Sequence, residues 1–309
     1  MKTLGALLIR SRRNAALLAF ILVFIPILHW FSVIIMALIT LRRGAKEGTL
    51  ILVSMLAAIA LSTLISGTLI SGTLISGNSV IIYNTVLAVM LVWLLGIILH
   101  HTHSWSLVLL VAASLAIFAI TAIHWYIPDV DQWWQHSMLN YLQQLGADMS
   151  INLLQQKQTV IYLSRIATGI QTDILLLFNL TFLLLARYWQ GTLYNPGALQ
   201  AELHAIRMPR WVSLCLLILL LATLLFRIPL LIDLLPVLFL PFICAGLSLV
   251  HFAMLARKIN WLWLLFFYIL LIFALPYVCM MLVILALIDS LIDLRQRFKH
   301  RRDDEIREV

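Results

Sequence analysis

The sequence predicts an all-α fold, a polytopic transmembrane helical bundle, on three observations. Hydrophobic residues fill 63% of its 309 positions. Only 11% are charged, against about 25% in an ordinary soluble domain. From Gly48 to Pro128 there is no Asp, Glu, Lys or Arg, so this stretch cannot form a folded, water-facing surface. Runs such as LLILLLATLLF also lack the in–out alternation of a membrane β-barrel.

Apolar segments fall at about 8–27, 29–41, 46–66, 80–99, 105–126, 169–187, 211–232, 235–255 and 260–291. A membrane span needs roughly 20 such residues. The first segment follows basic residues without a small-residue cleavage site and is expected to stay in the protein. If 15–40 were one span, Arg10–Arg13 and Arg42–Lys46 would lie on opposite sides, against the positive-inside rule. A break near Pro26–Trp30 puts both clusters in the cytoplasm. The second helix, Phe31 to Leu41, would be only about 16 Å long, so protein must shield it from lipid.

The repeat TLISGTLISGTLISG, Thr63 to Gly77, then falls at an outer turn. Its period of five fits neither the helical nor the strand repeat. It reads as a tandem expansion that lengthens a helix end or loop. His100–His103 come out inside, residues 127–168 outside and 187–210 inside. Trp125, Tyr126, Trp133 and Trp134 suit an interfacial belt. The run 260–291 is expected to break at Pro276 into two short helices, returning the basic tail to the cytoplasm.

The net charge of +8 is explained by cytoplasmic loops, so no nucleic-acid partner is expected. Cys215, Cys244 and Cys279 lie in apolar runs and read as buried hydrophobes. The chain has no G-x-x-x-x-G-K-[ST], H-E-x-x-H or G-x-S-x-G, and neither enzyme activity nor a cofactor is expected.

Polar groups within spans raise functional questions because they are costly there. Asp173, Asn84, Asn179 and Trp125 are the candidate ligand-binding residues. Asp173 can equally be a solvated helix end, and Asn84 and Asn179 can hydrogen-bond between helices. Arg227 and Asp233 flank Pro229 and read as a local pair. His251 reads as a structural hydrogen-bonder. His100, His101 and His103 read as a solvated loop, since no Cys or carboxylate stands nearby to complete a metal site. Asp289, Asp293, Arg295 and Arg297 suit an ion-pair ladder at a helix end. Asn195-Pro196-Gly197 is a turn signal. After it, Ala198–Arg207 reads as an interfacial amphipathic segment carrying Glu202, His204 and Arg207.

Three stretches carry a family resemblance: ALITLRRGAKEGTLI at 37–51, LARYWQGTLYNPGALQAELHAIRMPR at 185–210 and LIDSLIDLRQR at 287–297. Together with length and hydropathy they resemble the bacterial DUF2232 family, the YybS-like membrane proteins. That family is similar to the substrate-binding S-components of energy-coupling-factor transporters. The resemblance implies an S-component-like six-helix core over 1–190. A cytoplasmic loop at 191–210, a helical membrane extension at 211–294 and a tail at 295–309 would follow. It also implies a multi-pass protein of the bacterial inner membrane with a cytoplasmic N-terminus. Ala15 and Ala19, four apart, resemble the small-residue face that meets a coupling subunit. Arg42, Arg43, Arg187, Asn195, Glu202, His204 and Arg207 complete the expected docking set. The partners would be the lipid bilayer, a coupling membrane subunit, ATPases supplied by other chains, and an unidentified small molecule. Two other readings stand beside this one. One is a non-transporting scaffold that recruits cytoplasmic proteins through 187–210 and the basic tail. The other is a lipid-handling enzyme using Asp289 or His251.

Overall fold

The computed structural model describes residues 12–25, 28–69, 76–144, 153–257 and 259–296. Among the described residues all regular structure is helical. The helices are α1 (Arg12–Val23), α2 (His29–Arg43), α3 (Ala45–Leu69), α4 (Ser76–Thr102), α5 (Trp105–Tyr126), α6 (Val130–Gln144) and α7 (Leu153–Ser164). After them come α8 (Ala167–Tyr194), α9 (Ala198–His204), α10 (Arg210–Phe226), α11 (Pro229–Ala256), α12 (Trp261–Phe273) and α13 (Leu275–Ile292). Six of these, α3, α4, α5, α8, α11 and α13, are long and apolar enough to cross a bilayer. Large apolar side chains such as Phe118, Leu224 and Phe273 are mostly exposed, and α12 buries no residue at all. Water would not tolerate that surface, whereas hydrocarbon matches it.

The chain groups into two compact units: Met1–Val108 with Leu175–Leu203, and Leu109–Ile174 with His204–Val309. This grouping cuts across the 1–190 core and 211–294 extension expected from the sequence, because packing rather than chain order sets it.

In the first unit α2 is the central element. It has 15 residues, about 22 Å at 1.5 Å per residue, and every residue from Ser32 to Leu41 is buried. It packs on α1, α3 and α4. The short, shielded second helix expected from the charge pattern is therefore present, although Pro26 and Ile27 lie outside the described residues. Thr40 marks the tightest point. A Cβ on Gly48 of α3 would overlap its hydroxyl, and one on Gly96 of α4 would touch its methyl at 3.4 Å. Trp30 stacks on Phe182 of α8 with ring centroids 5.0 Å apart.

Ala15 and Ala19 of α1 are fully buried, and the Ser54 hydroxyl of α3 donates to the Ala16 carbonyl at 3.4 Å. The small-residue face is thus used inside the unit, where its small side chains admit a neighbouring helix, and is not presented to a partner. α3 and α4 run into the TLISG repeat from its two sides, and residues 70–75 lie outside the described residues.

In the second unit α13 packs along α11. A Cβ on Gly246 would overlap the Leu282 carbonyl, so glycine is what lets the two backbones approach. Several boundaries differ from the hydropathy reading. The expected turn near 233–234 lies instead at Arg227 and Ile228. Arg227 takes a left-handed conformation (φ 51°), and Pro229 opens α11, where its missing N–H costs nothing. Asp233 therefore sits inside the helix, one turn past its start. The described residues within 127–168 form α6, α7 and the start of α8, and α8 runs on to Tyr194 before the expected turn at Asn195–Gly197. The 260–291 run divides at Ala274. Pro276, in the first turn of α13, cannot continue the preceding helix.

Replacing Gly246 with Ala should cost about 1–3 kcal/mol by overpacking, seen as a lowered midpoint of denaturant unfolding in mild detergent. Gly191, with nothing within 4 Å of its added Cβ, is the control. Its change to Ala should leave the midpoint unchanged or raise it.

Candidate functional site

Three clusters of polar side chains form where helix ends meet. The first, in the first unit, satisfies the end of α2. The Leu41 carbonyl has no partner within the helix. It takes the Gln190 Nε2–H of α8 at 3.2 Å and lies 2.9 Å from His100 Nδ1 of α4. Leu41 is buried, and an unpaired carbonyl there would cost about 1–3 kcal/mol. His100 fixes the next residues as well. Gly44 turns the chain at φ +84°, and a Cβ there would crowd His100 Nε2 at 3.3 Å. Beside it, Arg187 forms a two-pronged ion pair with Glu202 of α9 (Nε to Oε2, 3.0 Å), and Trp105 Nε1 donates to the same carboxylate at 3.2 Å. The paired side chains are only 16% and 17% exposed.

The second cluster closes the second unit. Arg295, just past α13, donates to the Asp289 carboxylate at 3.0 Å and to the Ile206 carbonyl at 2.6 Å. It also reaches the His204 carbonyl, and its guanidinium lies over the Phe252 ring. Arg207 pairs with Asp293 at 2.7 Å and with the Asp289 carbonyl at 2.8 Å. Ser290 joins Ser213 at 2.7 Å and the Met208 carbonyl at 3.0 Å. The end of α13 therefore meets both the 204–210 segment and the last turns of α11. The chain leaves α11 and returns through α12 and α13 to the same end.

The expected ladder along one helix is replaced by these cross-links, because α13 stops at Ile292 and Asp293 turns left-handed (φ 59°). Arg297 lies outside the described residues. Burial acts to raise the Asp293 pKa. The hydrogen bonds from Arg207 and the Gln296 N–H, with the charges of Arg207 and Arg210, outweigh it and hold the carboxyl below its usual range. Burial, helped by the charges of His251 and Arg295, holds the His204 pKa below the ordinary imidazole value.

The third cluster lies at the opposite end of the second unit, between the last turn of α5 and the first turns of α8 and α11. The Asp233 side chain is 1% exposed. Its Oδ1 accepts the Gly169 N–H at 2.7 Å, and its Oδ2 faces His124 Nε2 at 3.6 Å. Neither Oδ2 nor Nε2 has a hydrogen-bond partner. A Cβ on Gly169 would overlap the Asp233 carbonyl, so this glycine is what brings α8 to α11. Trp134 of α6 donates to the Thr168 hydroxyl at 3.0 Å and closes one side. The expected Arg227–Asp233 pair does not form, since burial of Asp233 inside α11 turns it toward His124.

The proposed ligand-binding residues are spread by burial. Trp125 is 89% exposed and Asn84 is exposed. Asn179 is buried in α8, where its Nδ2 donates to the Leu175 carbonyl and its Oδ1 has no partner. Asp173 is half-buried with an unpartnered Oδ1, so it is not a solvated helix end. Asp173 and Asn179 share a helix but stand six residues apart, about 120° around its axis.

Of the docking set, Arg187, Glu202 and Arg207 are consumed by internal ion pairs, and His204 is half-buried. Arg42, Arg43 and Asn195 remain exposed, Arg42 over the Tyr194 ring. His100 is a helix-end brace rather than part of a solvated loop. His251 bonds to the Leu247 carbonyl at 2.9 Å and to the Tyr268 hydroxyl at 3.2 Å, the structural part expected of it. Sequence reading missed His124, Gln190 and Trp105. The available signal for His124 was the rule that an ionisable group at a span's end needs a partner. No cluster of three or more His, Cys, Asp or Glu able to hold a metal occurs among the described residues.

These features define an integral, multi-pass α-helical membrane protein. No protein family, curated protein or solved structure matches the chain.

Two outcomes follow from the ion pairs. Arg187→Ala or Glu202→Ala should each cost about 2–4 kcal/mol, and the double variant no more than the worse single one, in a double-mutant cycle of unfolding midpoints. The Arg207–Asp293 pair works in the usual carboxylate direction. Its stabilisation is complete above the unfolded Asp value, near about pH 4, and disappears as pH falls through the lower folded value. Acid titration of Arg207→Gln should lack that loss.

Proposed function

We propose that the chain is the solute-binding subunit of an uptake system of the energy-coupling-factor kind, in the bacterial inner membrane with its N-terminus in the cytoplasm. The observation that carries this reading is α2. A helix too short to cross, buried from Ser32 to Leu41 among other helices, ends in a basic-glycine turn, a pattern that resembles S-components. A buried short helix gives a bundle a fixed interior wall without another crossing, and solute sites in helical membrane proteins are built on such interior walls. The chain carries no nucleotide-binding loop, so ATP hydrolysis falls to other chains.

Docking in this reading uses the exposed end of the first unit, where Arg42, Arg43 and Asn195 stand together with Tyr194. Ala15 and Ala19 serve internal packing instead. The scaffold reading draws less support, because Arg187, Glu202 and Arg207 already brace the chain itself.

Affinity purification from native membranes in mild detergent, with mass spectrometry of chains and small molecules, tests the proposal. An ATPase pair with a coupling membrane subunit, or one dominant small-molecule ligand, is the expected result. Arg42→Glu with Arg43→Glu should reduce recovery of those chains, while Ala15→Phe should lower the yield of folded protein. Recovery of cytoplasmic assembly proteins alone, with neither ATPase nor ligand, would replace transport with the scaffold.

A further inference from the structure

We propose that His124 and Asp233 form a one-proton binding site at the junction of α5, α8 and α11. The tautomer decides it. His124 Nδ1 lies 3.1 Å from the Ile120 carbonyl, which can only accept, so Nδ1 carries a hydrogen. In the neutral ring Nε2 then presents a lone pair. Opposite it, at 3.6 Å, stands Oδ2 of Asp233, which presents another when the carboxyl is ionised. Two acceptors facing each other in a buried site repel, and each lacks a donor.

One proton removes both defects. On Nε2 it makes an imidazolium–carboxylate pair, and on Oδ2 it makes a neutral acid donating to the ring. Either form has the same composition, so the pair binds the proton as a unit. A bridging water would hold the atoms about 4.5 Å apart, with about 2.8 Å on each side, so there is no room for one. A metal ion would find two ligands here, and among the described residues no third His, Cys, Asp or Glu joins them to complete a site.

The surroundings tune the site without supplying another donor to Oδ2. Gly169 N–H occupies Oδ1. The Thr168 hydroxyl, which accepts from Trp134, donates to the Asp233 carboxylate. Asp131 on α6 is a further carboxylate whose charge acts on the site. Asp173 stands one turn further along α8. Arg165 and Arg227, the nearest cations along the chain, are exposed.

The consequence is a latch with a sign. With the proton bound, α5 is tied to α11 and, through Gly169, to α8. Loss of the proton sets two acceptors against each other and loosens the junction. Stability that the dyad provides is therefore present on the acid side and lost as pH rises past its release.

The test uses the full-length protein in lipid nanodiscs. Thermal unfolding midpoints are measured from about pH 6 to about pH 9, spanning histidine's ordinary range and beyond. Asp233→Asn and His124→Gln each install a permanent N–H donor at the contact. Both should hold the wild-type midpoint at the acid end and lose most of its decline toward alkaline pH. His124→Phe, which orphans Oδ2, should lower the midpoint throughout. Nitrogen-15 NMR of labelled histidines, or infrared detection of a protonated carboxyl, should show one proton-dependent signal that both conservative variants abolish. The proposal is overturned if Asp233→Asn keeps the wild-type pH profile and signal. It is also overturned if sodium at fixed pH stabilises the wild type but not Asp233→Asn, which would make this a metal-cation site.

Discussion

A helix that is too short to cross a bilayer can neither span it nor lie bare within it. Both its flanks and its ends need protein around them, because an unpaired peptide group in hydrocarbon costs several kcal/mol. Much of the first unit follows from meeting that demand for α2. Its flanks are closed by α1, α3 and α4, and α3 and α4 come close where Gly48 and Gly96 meet Thr40. Near its end the Leu41 carbonyl is met by side chains from two other helices. The Arg187–Glu202 pair then sets α9 against the same end, with Trp105 as a second donor.

The second unit solves a related problem by different means. Asp289, Asp293, Arg207 and Arg295 meet at helix ends, where the backbone also needs partners. Arg295 alone answers one carboxylate and two carbonyls. Such multiplicity suits arginine, whose five N–H donors lie in one planar fork, and a lysine could not reproduce it. At the other end Asp233 meets a backbone N–H, a threonine hydroxyl and a histidine, with no arginine among them.

The helical class, the spans and the buried second helix were legible in the sequence because they follow from length, hydropathy and charge, which are local quantities. The Asn195–Gly197 turn and the break before Pro276 were legible for the same reason. The pairings were not. Asp233 was read against Arg227 because the two are neighbours in sequence. The decisive fact was a turn two residues long, which placed Asp233 inside α11 and facing His124, more than a hundred positions away. Arg187 and Glu202 were visible as charges on a polar loop. Only the extension of α8 to Tyr194 revealed them as partners rather than a free surface. Asn84 and Trp125 show the reverse error: polarity within a span attracted attention, yet both side chains point away from the interior.

The Arg295 contacts also set an order of events during synthesis. The carbonyls of His204 and Ile206 enter the membrane phase of biogenesis some ninety residues before the guanidinium that satisfies them has been translated. Until Arg295 leaves the ribosome, the His204 and Ile206 carbonyls lack that donor. The second unit is thus completed from its C-terminus backward, and a chain released early would present bare carbonyls that quality-control proteases can recognise.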